Sequence, residues 1–392
     1  MMQGLWLFLL PVAAFSGWFA SSASHHIHVP DEKKKKPLSK DYILGLNFLL
    51  NEEPDKALDV FIKMLDVDSE TVETHLALGN LFRKRGEVNR AIRIHQNLIA
   101  RPSLEKEIRS QAQFALAKDY LSAGVLDRSE KLYLELISMN EQVIPSAYAL
   151  LDIYQQEKEW GKAIEIAHKM ESLTSKNMSI AKAHYYCELA EASLKIGNKD
   201  QSVKYLKRAL SIDKKCVRAS LIFANLESLS DRHKHAIRHL KHIKNQDPDF
   251  FSEAIMLLMR EHQALSKEKE LVLYFKDILQ EFPKIPIVIM LSEQIRQWKG
   301  DKIAAGFVAD YVRKHPSIAG LHRLVELHLP LAEDKAKKDL IILHSLTQKL
   351  LNSQPTYRCE NCGFAGKTLH WQCPSCKQWS TVKPTHTFEE EV

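Results

Sequence analysis

The chain has 392 residues, 45% apolar and 27% charged, the balance of a globular rather than a disordered protein, long enough for two or three domains. Its 13 glycines and 14 prolines are too few for a collagen-like or low-complexity chain and argue against a many-stranded sandwich, which leaves a mostly helical protein. The formal charge of +6, from 55 Lys and Arg against 49 Asp and Glu, lacks the concentrated basic patch of a nucleic-acid binder.

Residues 4–20 read GLWLFLLPVAAFSGWFA, without a charge. As a helix they reach about 26 Å at 1.5 Å per residue, the short limit for a hydrocarbon core of about 30 Å. Trp6, Trp18 and Phe19 lie near the ends, where amphipathic rings favour the interface. The small residues Ala20 to Ser24 also fit a signal-peptidase site. No Lys or Arg precedes the apolar run, however, whereas Lys33, Lys34, Lys35 and Lys36 follow it. That asymmetry predicts an uncleaved transmembrane anchor over residues 1–24, with its N-terminus outside and the body in the cytoplasm. Residues 25–39, including His25, His26 and His28, are read as a basic juxtamembrane linker rather than a metal site.

From about position 40 onward, amphipathic helix-length segments alternate with short polar breaks. Ala57, Ala91, Ser129, Ala163, Ser202 and Ala236 are separated by 34, 38, 34, 39 and 34 residues. Thirty-four is the period of the tetratricopeptide repeat, a helix–turn–helix unit. Other positions keep step: Phe48, Phe82, Tyr120 and Tyr154 come nine residues earlier, and Phe61, Tyr133, Leu206 and Leu240 four later, with His95 and Ala167 at the same place. Small residues let two helices approach while aromatics fill the space between hairpins. Gly86, Gly124, Gly197 and Gly300 mark turns. After position 240 the pattern weakens, and Pro248, Pro283 and Pro316 punctuate three degenerate hairpins over 250–282, 285–315 and 318–352. The expected fold is all-α: a solenoid of about nine hairpins over 40–352, behind the transmembrane helix.

A solenoid offers a long recognition surface and generally no catalytic cleft. P-loop, G-x-S-x-G, H-E-x-x-H and G-x-G-x-x-G motifs are all missing from the sequence, so binding rather than catalysis is expected. Asn80, Arg83 and Lys84 are candidates to grip a partner peptide, a solvated helix face being the plain alternative.

The chain closes with YRCENCGFAGKTLHWQCPSCKQW. Cys359, Cys362, Cys373 and Cys376 form C-x2-C-x10-C-x2-C, two pairs that can each wrap one side of a tetrahedral ion. Gly363 suits a knuckle turn and Pro374 stiffens the second knuckle. Tyr357, Phe364, Trp371 and Trp379 supply apolar mass to a module too small to stand without metal. One structural metal ion, iron or zinc, is expected, in a domain over 355–382 followed by a tail over 383–392. Cys187 and Cys216 are isolated in helical sequence.

Together these pieces resemble the lipopolysaccharide assembly protein B family of Gram-negative inner-membrane regulators. The matching stretches are LLPVAAFSGW, DYILGLNFLLNEEPDKALDVF, HLALGNLFRKRGEVNRAIRIHQ, HYYCELA, YRCENCGF and CPSCKQWSTVKP. The resemblance implies a rubredoxin-like metal-binding C-terminal domain with Cys359, Cys362, Cys373 and Cys376 as ligands. It also implies an inner-membrane adaptor that promotes degradation of an LpxC-type deacetylase by an FtsH-type membrane protease, with other inner-membrane lipopolysaccharide proteins as further partners. The linker departs from the family's common form, with His and Lys in place of a shorter Arg-containing segment. Two other classes compete: a rubredoxin-like electron carrier on a repeat scaffold, and a nucleic-acid adaptor. The second is disfavoured by the few basic residues of the ribbon, Arg358, Lys367 and Lys377, and no nucleic-acid partner is expected.

Overall fold

The computed structural model describes residues 40–385 other than 52, 54–55, 58–59, 61–71 and 103. The expected anchor and linker, Phe61 of the repeat register, and residues 386–392 of the tail lie outside the described residues. Among those described, no helix is long and apolar enough to cross a membrane. The chain divides between Val125 and Leu126 into two compact units.

The described part of the N-terminal unit contains α1 (Lys40–Leu50), α2 (Val72–Lys84), α3 (Val88–Ile99) and α4 (Lys106–Ser122). In α3 the buried residues are Ala91, Ile94, His95 and Leu98, the i, i+3, i+4, i+7 spacing that puts one stripe against a neighbour. Ala57, Leu78, Phe82, Ala91 and Ile94 pack together, with Tyr42, Phe48, Leu49 and Val60 against them. At Gly79 the backbone of α2 leaves room for a side chain of α3: a methyl group there would overlap the His95 imidazole. Arg83 donates to buried Asp119 at 2.8 Å, and the other carboxylate oxygen of Asp119 lies 2.5 Å from His95 Nδ1. One carboxylate on α4 thus ties α2 and α3 together.

The C-terminal unit continues with α5 (Leu126–Ser138), α6 (Val143–Glu157), α7 (Trp160–Thr174), α8 (Ser179–Lys195), α9 (Lys199–Ile212), α10 (Val217–Ser228) and α11 (His233–Gln246). Beyond a 3-10 turn at Pro248–Phe250 come α12 (Phe251–Ala264), α13 (Glu268–Glu281), α14 (Ile285–Lys299), α15 (Asp301–Lys314), α16 (Ile318–His328) and α17 (Asp334–Ser353). The six small residues at Ala57, Ala91, Ser129, Ala163, Ser202 and Ala236 are all 0% exposed, which is what a close helix–helix contact at each register position requires. The turn glycines Gly124 and Gly197 have φ of 74° and 80°, in the left-handed region open to glycine. Lys158, Asp231 and Ser266 take the same conformation in the α6–α7, α10–α11 and α12–α13 turns, at φ of 60°, 54° and 52°. The turn geometry therefore recurs where the glycine does not.

After α17 the chain forms a three-stranded antiparallel sheet in the order β2-β1-β3. β1 (Tyr357–Cys359) pairs with β2 (Ala365–Gly366), Tyr357 opposite Gly366, and with β3 (Val382–Pro384), Cys359 opposite Val382.

Candidate metal centre

Two knuckles with the same hydrogen-bond pattern carry the cysteines. In the first, Gly363 N–H donates to Cys359 O at 2.9 Å and Cys359 N–H to Phe364 O at 2.7 Å. In the second, Lys377 N–H donates to Cys373 O at 3.0 Å and Cys373 N–H to Gln378 O at 2.9 Å. Gly363 and Lys377 occupy equivalent left-handed positions, at φ of 75° and 60°. Each turn points its two thiols to the same side, and the two sides face each other.

Cys359 Sγ lies 3.8 Å from Cys376 Sγ, Cys362 Sγ lies 3.6 Å from Cys373 Sγ, and all four sulfurs fall within 4.8 Å of one another. A tetrahedral ion with metal–sulfur bonds of about 2.3 Å has sulfur–sulfur edges of about 3.8 Å. The cluster fits one such ion. Burial works against ionising Cys359. The Thr381 hydroxyl, 3.3 Å from its Sγ, and the backbone N–H groups of Cys362 and Asn361 outweigh that and bring the thiol down to about 6. Burial pushes Cys373 up to about 11, so loading an ion there has to displace its proton. With four protein sulfurs around the centre, the bound ion supplies cross-linking rather than an open Lewis-acid position.

The module's own core is small: Cys359, Cys373 and Val382, with Tyr357, Phe364 and Cys376 around them. Of the aromatic residues that supply its apolar mass, Trp371 and Trp379 pack outward onto the helices rather than into this core. Trp379 stacks on His184 of α8 at 4.8 Å and meets Trp160 and Tyr185 edge-on at 6.3 and 5.8 Å. Trp371 stacks on Phe250 at 5.4 Å.

Polar contacts frame that seat. Gln155 Oε1 accepts from Gln372 Nε2 at 2.8 Å and from Trp379 Nε1 at 3.2 Å. His184 Nε2 is 2.6 Å from Ser380 Oγ. Tyr357 donates to Glu253 at 2.9 Å, and Lys383 Nζ lies 3.3 and 3.4 Å from Asp247 and Asp249. Burial, aided by the Arg218 charge, holds the His184 imidazole down at about 3, so it sits neutral between the ring and the hydroxyl.

Of the other sequence candidates, Asn80 accepts from Arg83 at 2.6 Å, so both belong to the Asp119 network, while Lys84 is exposed. Cys187 and Cys216, far apart in sequence, bring their Sγ atoms to 3.8 Å in the core, where burial pushes the Cys187 thiol up. A further cleft of about 620 Å³ lies beside the ribbon, lined by Ile255, Met256, Met259, Ile289, Met290 and Arg323 among others.

Residues 357–384 match the family model described as Rubredoxin metal binding domain, and residues 74–107 match the Tetratricopeptide repeat model. Lipopolysaccharide assembly protein B of Escherichia coli (strain K12) is 37% identical over 384 residues, covering 98% of this chain and 98% of that protein. The protein of the same name from Haemophilus influenzae is 36% identical over 391 residues, covering 97% and 98%. Among solved structures, a tetratricopeptide repeat protein from Parabacteroides merdae aligns over 71% of this chain and 100% of that one, at 13% identity and a TM-score of 0.32. Identity above one third along almost the entire length places this chain in the lipopolysaccharide assembly protein B family.

Proposed function

We propose that the chain is an inner-membrane adaptor of lipopolysaccharide biosynthesis, a protein that recognises partners rather than one that turns over a substrate. The reading rests on the full-length likeness to relatives named for lipopolysaccharide assembly. Helical repeats, whose stacked faces commonly recognise other proteins, and a metal centre with four protein donors support it. In this reading residues 4–20 anchor the chain with its body in the cytoplasm, and the repeats present an LpxC-type deacetylase to an FtsH-type membrane protease. Other inner-membrane lipopolysaccharide proteins are held on the same scaffold. The cleft beside Met256 and Met259 suits a peptide with apolar side chains, because methionine adapts to irregular partners; Lys84, with its neighbours Asn80 and Arg83, offers a second grip.

Tethering confines the encounter with a membrane protease to a plane and raises effective concentration without a new contact. Deleting residues 1–24 is expected to leave a folded, metal-loaded protein that still binds the deacetylase and no longer promotes its turnover. Wild-type turnover restored by that truncation at normal abundance overturns the reading.

A further inference from the structure

We propose that His322, Glu326 and His344 form a second metal site, for one divalent ion of the zinc type, which clasps α17 onto α16. His322 and Glu326 stand one turn apart on α16, a spacing that puts both on one face, and His344 faces them from α17. Nε2 of His322 and Nε2 of His344 lie 3.8 and 3.9 Å from the same oxygen, Glu326 Oε1, and the three donors fall within 4.8 Å of one another.

The surroundings prepare each donor. His322 Nδ1 is 2.9 Å from Thr347 Oγ1, and the Thr347 hydroxyl donates to the carbonyls of Leu343 or His344, at 2.9 and 3.0 Å. A hydroxyl already donating has to accept from Nδ1–H, which leaves the lone pair of His322 on Nε2, the atom nearest Glu326. The other carboxylate oxygen, Oε2, accepts from Arg323 at 2.9 Å, so Oε1 is the oxygen left for an ion. An imidazole fixed by a hydrogen bond at its second nitrogen is the usual arrangement around a metal-bound histidine.

Two imidazoles and a carboxylate suit zinc-type ions rather than calcium or magnesium, which take oxygen donors. Tetrahedral bonds of about 2.0–2.1 Å set donors about 3.4 Å apart. The two imidazole–carboxylate separations must therefore close by roughly half an ångström, and the imidazole–imidazole separation by up to about 1.4 Å, within reach of torsions at the half-exposed Glu326 and His344. The clasp would act where packing is thin: α17 leaves Ile341, Ile342, Leu346 and Leu350 exposed while carrying the chain into the ribbon.

The test is zinc stoichiometry on the untagged full chain in detergent, after metal removal and equilibration at micromolar free zinc. Two equivalents per chain are expected. His344→Ala should leave one, and Thr347→Val should weaken the second by about 10–100-fold while retaining the first. Replacing His25, His26 and His28 together by Ala should leave both. Cobalt substitution separates the sites, because only the four-thiolate centre gives sulfur-to-cobalt charge-transfer absorption. A single equivalent in the wild type overturns the proposal. So does a second equivalent that survives both His344→Ala and Thr347→Val, or one that disappears with the linker histidines.

Discussion

Asp119 in the N-terminal unit and His184 in the C-terminal unit are both fully buried polar side chains, held in place by different means. Asp119 is locked between Arg83 and His95, joining three helices close in sequence. His184 is kept neutral, stacked on Trp379 and bonded to Ser380 about two hundred residues away. The first arrangement fixes the register of successive repeats. The second seats a returning module, where desolvating an ion would cost several kcal/mol and an aromatic stack with one neutral hydrogen bond avoids that penalty.

The difference breaks most sharply at the ion pair. Asp119→Ala leaves Arg83 without its carboxylate and is expected to lower stability by about 3–5 kcal/mol in urea unfolding. Trp379→Ala, which removes one ring from the seat, should cost about 2–3 kcal/mol. It should expose the linker near Pro355 to protease while the four thiolates still bind metal. A ribbon that stayed protected would show that Trp371 and the Lys383 ion pairs suffice.

Acid should separate the two regions further. The folded pKa of His184, about 3, is below its unfolded value of about 6.5. Its contribution is therefore full above pH 6.5 and is lost as pH falls from 6.5 toward 3. By pH 5 the wild type should have lost about 2 kcal/mol relative to His184→Gln, measured as the difference between their unfolding curves. Equal pH slopes would mean that the imidazole is not buried in solution. The smallest effect concerns Ser202, whose fully buried hydroxyl has no hydrogen-bond partner among the described residues. Ser202→Ala should raise the melting temperature slightly, with a gain of no more than about 1 kcal/mol.

What could be read from sequence follows physical range. Cys359, Cys362, Cys373 and Cys376 stand out because a knuckle is a local object: three peptide units of chain fix the spacing of its thiols. The small residues from Ala57 to Ala236 stand out because a stack repeats the same contact at a fixed interval. The partners of the ribbon do not, since Gln155 and His184 meet Gln372 and Ser380 across intervals that carry no period. The aromatic run His184-Tyr185-Tyr186 was the available signal, and it looks like ordinary hairpin core until Trp379 is seen on it. His322 and His344 were hidden for the same reason, being on different helices with no motif spacing. Arg83 reads as a surface cation because nothing in its own helix announces Asp119.

The return of the ribbon onto Gln155, His184 and Glu253 also sets an order of events on the ribosome. Helical repeats mature as each pair emerges, because each needs only its neighbour. The seat at Trp160, Tyr185 and Phe250 cannot be covered until residues near 380 have been made. At about 5–20 residues per second that is a wait of roughly 10–40 seconds, during which an aromatic surface stays open. A truncated product therefore displays an aromatic face that the finished chain hides.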